Sequence, residues 1–308
     1  MKVRNNLAQI TKKSLCEAIN LDMMSRLARD VFSEYDLHER TGFPSTVPIT
    51  SQLAAHHIVN DAIAENRFLH LAERLILLDR EGYMGRRYPV PGLAEIVKQI
   101  RVEGYVWDEE AELFMEDPRV RRTPNWGRLL DDDEFRFALL RLDVANNSKM
   151  VQTHGDSAMR GALEDLRQIV SRCVEFRAGR IWQWEGDGAL AGFLFGSRVM
   201  SAVLAGMAVL HELFLYDRLH NRLGEPLRIR AAVHTGSFRY HSDPEMLVKQ
   251  EIVQETEEIE SRLTPVGSLV ITPAVAPSLD RVILERFRPV QHFAESRLLA
   301  YEVRMEGT

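Results

Sequence analysis

Cysteine is almost missing from this chain: Cys16 and Cys173 are the only two. Two cysteines cannot build a disulfide framework or a four-sulfur zinc site, and their scarcity suits a reducing compartment. A surplus of positive charge is missing as well. Thirty-nine Lys and Arg stand against 45 Asp and Glu, a net charge of −6, so no basic footprint for nucleic acid is expected. No uninterrupted apolar run is long enough to span a bilayer: the richest stretch, Ala189 to Tyr216, is broken by Arg198, His211 and Glu212, so no membrane partner is expected. The first residues, MKVRNNLAQITKKSL, are too polar for a signal peptide. These absences predict a cytoplasmic chain. Several catalytic signatures are missing too. There is no Gly-x-x-x-x-Gly-Lys-[Ser/Thr] phosphate loop, no Gly-x-Ser-x-Gly elbow and no zinc-protease helix motif.

What is present is ordinary globular material, 45% hydrophobic and 27% charged. At about 150 residues per domain, 308 residues predict two domains. Residues 1–116 read as a helical regulatory or interaction domain. Ala54, Ala55, Ile58, Val59, Ala62 and Ile63 fall on one helical face, as do Leu93, Ile96, Val97 and Ile100. Arg80-Glu-Gly-Tyr83 and Val102-Glu-Gly-Tyr105 read as helix ends closed by glycine. His56, His57 and His70 lie in helical patterns without the ligands a metal site needs, and read as surface or packing residues. Residues 117–134, polar and carrying Pro118, Pro124 and Gly127, read as a linker.

From residue 135 to 308 the texture changes. Phe135 to Val144 reads as a buried strand, Gly161 to Val174 as a helix, and Arg180–Glu185 with Ala189–Phe195 as a hairpin turned by Gly-Asp-Gly. A long helix from Val199 to Leu223 follows, then a strand from Leu227 to His234. A helix around Glu255–Leu263, a strand Ser268–Thr272 and a terminal pair near Val290 and Leu298–Val303 complete the pattern. The order βα-ββ-αβ-αβ with antiparallel elements predicts an α+β sandwich rather than a doubly wound sheet.

Two carboxylates stand out by position. Asp143 closes a buried strand and Asp187 sits at a hairpin tip. Alone, the first has an ordinary explanation as a helix cap and the second as a turn residue. Together they suggest a site for a hard cation carried by a nucleotide, since magnesium or manganese in such sites takes one or two carboxylates plus phosphate oxygens.

The stretch from Phe135 to Val303 resembles the catalytic domain of class III nucleotidyl cyclases, the adenylate and guanylate cyclases. Leu142-Asp143-Val144 resembles the first metal motif and Glu185-Gly186-Asp187-Gly188 the second. Leu227 to Gly236 resembles the family strand Arg-x-Gly-x-His-x-Gly, and Ile259 to Leu263 the helix Ala-x-Arg-Leu that follows it. The resemblance implies a ferredoxin-like palm with a mostly antiparallel sheet. It implies that Asp143, Asp187 and the carbonyl of Val144 hold two divalent cations, Mn2+ or Mg2+. Ser148 and nearby amides would cradle phosphate, and Arg262 would face the charge building at the α-phosphate. It also implies a homodimer whose active sites are shared between subunits, acting on a nucleoside triphosphate.

The base-reading positions depart from the family. Gln183 stands where adenylate cyclases carry lysine and guanylate cyclases glutamate. Glu251 replaces an aspartate or cysteine, and Glu258 replaces the asparagine that steadies the ribose. Arg297 lies near Leu299, which takes the place of a phosphate-binding lysine. A glutamine amide donates and accepts, and a glutamate accepts only, so neither purine pattern is matched. Trp182 and Trp184 flank Gln183 and read as lying on the opposite strand face, as packing residues. The altered code beside a separate helical domain resembles the bacterial pyrimidine cyclases of anti-phage signalling (Pycsar), which make cyclic UMP or cyclic CMP. The alternatives are an adenylate cyclase making cyclic AMP and a degenerate cyclase domain serving as a nucleotide-binding or dimerisation module. A diguanylate cyclase is disfavoured by the missing Gly-Gly-[Asp/Glu]-Glu-Phe sequence.

Overall fold

A computed structural model describes residues 1–304 except 33, 118, 121–122 and 291–296. The chain divides into two compact units, Met1–Arg122 and Thr123–Thr308. The first holds helices α1 (Asn5–Ala18), α2 (Leu21–Phe32), α3 (Leu37–Thr41), α4 (Ser51–Ala64), α5 (Phe68–Glu81) and α6 (Leu93–Val102). Their apolar faces meet in a core around Leu15, Met24, Ile58, Leu71 and Ile96. Local chemistry sets the ends. Thr50 accepts the amide of Leu53 at the start of α4, and Gly82 closes α5 at a positive φ of 73°. The unit also contains a two-stranded hairpin, β1 (Tyr105–Asp108) and β2 (Leu113–Glu116), which the helical reading of residues 1–116 did not include. The buried Glu73 carboxylate on α5 accepts the amide of Phe114 at 2.8 Å and ties the hairpin to the helices.

The second unit is α+β. Its seven-stranded sheet comprises β3 (Glu134–Val144), β4 (Arg180–Glu185), β5 (Gly188–Phe193), β6 (Ile229–Arg239), β7 (Ser268–Ile271), β8 (Arg288–Pro289) and β9 (Leu299–Glu302). The spatial order is β4-β5-β3-β6-β7-β9-β8, antiparallel throughout except the parallel pair β6–β7. Part of the segment expected to be a linker belongs to this unit: Trp126 is fully buried, and its indole N–H donates to the carbonyl of Ala178.

Strand parity divides the sheet into two unlike faces. Ala138, Leu140, Leu142 and Val144 of β3 join Ile229, Ala231 and Val233 of β6 in the main core. That core is shared by α8 (Asp156–Glu175), through Leu166 and Val170, and by α9 (Arg198–Leu219), through Val203 and Val209. Among the described residues α9 alone is long and apolar enough to cross a membrane, and here it packs on the sheet as a core helix. The alternate residues point the other way. The register pairs Asp143 with Arg230, Arg141 with Ala232 and Leu139 with His234, so Asp143, Arg141, Arg230 and His234 share the second face.

Candidate active site

Backbone pairing brings the two aspartates together. Leu142 on β3 lies opposite Ala189 on β5, so the end of β3 runs beside the Gly186-Asp187-Gly188 turn. A Cβ added at Gly188 would lie 3.3 Å from an Asp143 carboxylate oxygen. Burial pushes the Asp187 carboxyl above its usual range, and the neighbouring Asp143 charge pushes in the same direction. Its own amide, the Asn147 side chain and Arg230 partly offset this. Asn147 opens helix α7 (Asn147–His154), and its Oδ1 is buried with no hydrogen-bond partner among the described residues. Two crowded carboxylates and an orphaned amide oxygen are hard oxygen donors, a set that suits a divalent cation. Among the described residues no group of three or more His, Cys, Asp or Glu gathers as a metal cluster. The donors present therefore fit a cation that completes its shell with phosphate oxygens and water, not one caged by protein alone.

Behind Asp143 lies a charged layer that sequence reasoning passed over. Arg230 Nη2 donates to Asp143 Oδ2 at 2.9 Å, and Nη1 donates to the carbonyl of Ser261 at 2.9 Å. Its Nε lies 3.2 Å from Glu260 Oε1, close enough for an ion pair but too poorly aligned for a hydrogen bond. Arg141 Nε lies 3.8 Å from the other Glu260 oxygen, and Arg141 Nη2 lies 3.5 Å from Glu257 and 3.6 Å from Glu185. Glu260 is 2% exposed. Burial pushes its carboxyl up to about 7, and Asp143 adds to this, outweighing the two guanidinium groups. A signal was legible: Arg141 and Arg230 interrupt apolar strands at the parity of Asp143, where a bare apolar alternation would have none.

The remaining expected site residues divide in two. Gln183 lies on the same face, opposite Leu190, which in turn lies opposite Arg141; its Oε1 is buried without a hydrogen-bond partner among the described residues. The Val144 backbone continues directly from Asp143. Ser148 is exposed in the first turn of α7. Glu251 is exposed at the start of α10 (Glu251–Glu258). Arg262 lies on the π-helical turn Ile259–Leu263, 75% exposed, with Nη1 donating to Glu258 at 2.9 Å. Arg297 is exposed and follows directly on 291–296, which lie outside the described residues. Within the single chain, Asp143, Asp187 and Gln183 are gathered on one sheet face. No described interaction joins Glu251, Glu258, Arg262 or Arg297 to either aspartate.

One expectation needs correcting. A bulge between Ile181 and Gln183 places an extra residue in β4, and Trp182 turns onto the face that carries Gln183. There it packs against Phe137, Phe238, Tyr240 and Trp126, and donates its indole N–H to the carbonyl of Pro124. Trp184 alone takes the opposite face, against the main core, with the Arg167 guanidinium 5.6 Å from its ring centre. Both tryptophans are packing residues.

No protein-family model matches the chain, and no curated protein matches it. Solved structures of cyclase domains do. A double mutant of the guanylyl cyclase domain of the RhoGC fusion protein from the aquatic fungus Blastocladiella emersonii matches 57% of this chain and 99% of its own, at 13% identity and a TM-score of 0.48. The adenylyl cyclase CyaB from P. aeruginosa matches 58% of this chain and 98% of its own, at 16% identity and a TM-score of 0.45. The guanylate cyclase domain of RhGC from Catenaria anguillulae, in complex with GTP, matches 55% and 96%, at 12% identity and a TM-score of 0.44.

Proposed function

We propose that this chain is a metal-dependent nucleotidyl cyclase that converts a nucleoside triphosphate to a 3′,5′-cyclic monophosphate and pyrophosphate. The observation that carries the reading is the crowding of Asp143 and Asp187 at adjoining strand ends, with the Asp187 carboxyl held up by burial and by its neighbour. Asp143, Asp187 and the Val144 carbonyl would hold two Mn2+ or Mg2+ ions. When bound, such ions acidify the ribose 3′-hydroxyl and neutralise the leaving pyrophosphate. Asn147 orients the Asp187 carboxylate through its side-chain amide. Arg262, exposed and held among the described residues only by Glu258, is available to serve a site on a second copy of the chain, where a guanidinium stabilises charge at the α-phosphate. The active unit is then a homodimer with each site shared between subunits.

The base is read as a pyrimidine, UTP or CTP. Gln183 presents an unpartnered carbonyl oxygen on the site face, where purine enzymes of the family carry a charge. A buried polar group that one base satisfies and another leaves unpaired shifts selection by orders of magnitude. The test is to incubate the purified protein with each of the four NTPs and Mn2+ and to identify products by mass spectrometry. Cyclic UMP or cyclic CMP is the expected product. Exclusive cyclic AMP would replace the pyrimidine assignment with adenylate cyclase.

A second reading has its own observation. Arg230 already bonds Asp143, and Glu258, in place of the family asparagine, already bonds Arg262. Those contacts suit a degenerate cyclase domain that binds nucleotide or dimerises without turnover. Nucleotide binding with no cyclic product from any of the four NTPs would select it.

A further inference from the structure

Arg230 joins two elements that the proposed chemistry uses separately. Its guanidinium has donors in a fixed fork, and here it meets three oxygen partners on two elements, two by hydrogen bonds and one by an ion pair. One is Asp143, at the end of β3. The other two, Glu260 and the carbonyl of Ser261, are the two residues immediately before Arg262. The turn they belong to is π-helical, a rare geometry that recurs at functional sites. Arg230 is three-quarters buried, and Glu260 almost wholly so, so neither charge is freely re-solvated when a partner leaves.

From this geometry, and resting on the cyclase reading, we infer that Arg230 is a positioning residue through which a cation taken up at Asp143 is felt at Arg262. A guanidinium and a divalent cation compete for the same carboxylate. A cation on Asp143 displaces the Nη2 bond and repels the guanidinium. The direction left to Arg230 is towards Glu260 and the Ser261 carbonyl, so that the ion pair to the one and the hydrogen bond to the other tighten and hold the turn. In a dimer with shared sites this turn carries the arginine of the other site, so cation uptake at one site sets the arginine that serves its twin.

Hydrogen–deuterium exchange of the full-length wild type, with and without MnCl2 and without nucleotide, reads this directly. Mn2+ is expected to slow amide exchange in residues 259–264 at least threefold, and Arg230→Gln is expected to abolish that response. Arg230→Lys, which keeps the charge but cannot reach three partners, is expected to lose at least tenfold in kcat with KM changed less than twofold. Unchanged exchange at 259–264 in the wild type, under Mn2+ concentrations that electron paramagnetic resonance shows to be bound, overturns the inference whether or not either variant folds. If that binding is lost in Asp143→Asn, the cation reading survives while the coupling falls. If wild type binds Mn2+ no better than Asp143→Asn, the cation reading falls, and the inference with it.

Discussion

Asp187 is costly to keep ionised where it stands, half-buried beside a second carboxylate, a cost that the proposed cation would relieve. Asp187→Asn removes the repulsion and should leave the melting temperature equal or raised, while cyclic product falls at least about 100-fold, the scale of removing one preorganised group at a reacting centre. Asp143→Asn should lose product to the same degree but lower the melting temperature, because Arg230 loses a charged partner. Calorimetry beside the product assay checks both. His234 gives a pH signature. Burial lowers its pKa from the usual 6.5, outweighing the Glu255 carboxylate 3.2 Å from Nε2, and Nδ1 is 2.8 Å from the Thr272 hydroxyl. The folded chain thus prefers neutral imidazole. The unfolded chain takes up the proton first, and stability is lost as pH falls below about 6.5 through the lowered folded value. Glu260, its carboxyl pushed up to about 7, contributes a slope of the opposite sign, so the signature is the difference between wild type and His234→Gln in urea titrations across pH 5 to 8, which should shrink as pH falls below about 6.5.

At the scale of elements, two glycines on the site face predict opposite tolerance. A Cβ at Gly192 would lie 2.3 Å from the Trp182 ring, which is boxed by Phe137, Phe238 and Tyr240. A Cβ at Gly236 would meet Ile252 Cδ1 at 2.2 Å, the movable tip of an aliphatic chain. Gly192→Ala should therefore cost about 1–3 kcal/mol by overpacking, and Gly236→Ala distinctly less, as read from denaturant midpoints with tryptophan emission as the probe. The strands of the second unit were legible because apolar runs such as Phe137 to Leu140, bounded by Arg136 and Arg141, leave little choice of period. The hairpin β1–β2 was not: its strands are four residues each, joined by the acidic Glu109-Glu110-Ala111-Glu112, which breaks any periodic signal. Of the site, Asp143 and Asp187 were legible from their places at a strand end and a turn. The Arg230–Glu260 pair was not, because it joins positions 30 residues apart through burial that only the packed chain creates. The face of Trp182 was misread because a single extra residue in β4 inverts strand parity.

For the whole molecule, the lack of any described interaction between Arg262 and either aspartate within one chain makes complementation the decisive assay. Asp187→Ala and Arg262→Ala homodimers should each be inactive, whereas a mixed dimer gathers both lesions in one site and leaves the other intact. Statistical mixing makes about half the dimers mixed, each with one working site, so co-refolding should restore about a quarter of wild-type product. No recovery despite demonstrated subunit exchange would place each site within one chain. How copies can meet is already limited by the sheet's margins. At one margin β4 is interrupted by its bulge, and at the other β8 is two residues long and includes Pro289, which has no N–H to offer. Neither margin presents a long, flat row of free backbone groups. The sheet is therefore blunted against strand-by-strand growth into fibrils, and copies must recognise one another through side chains. Removing Trp182 to straighten β4 would undo that protection at one margin, and thioflavin fluorescence of the deletion variant should rise during storage while the wild type stays dark.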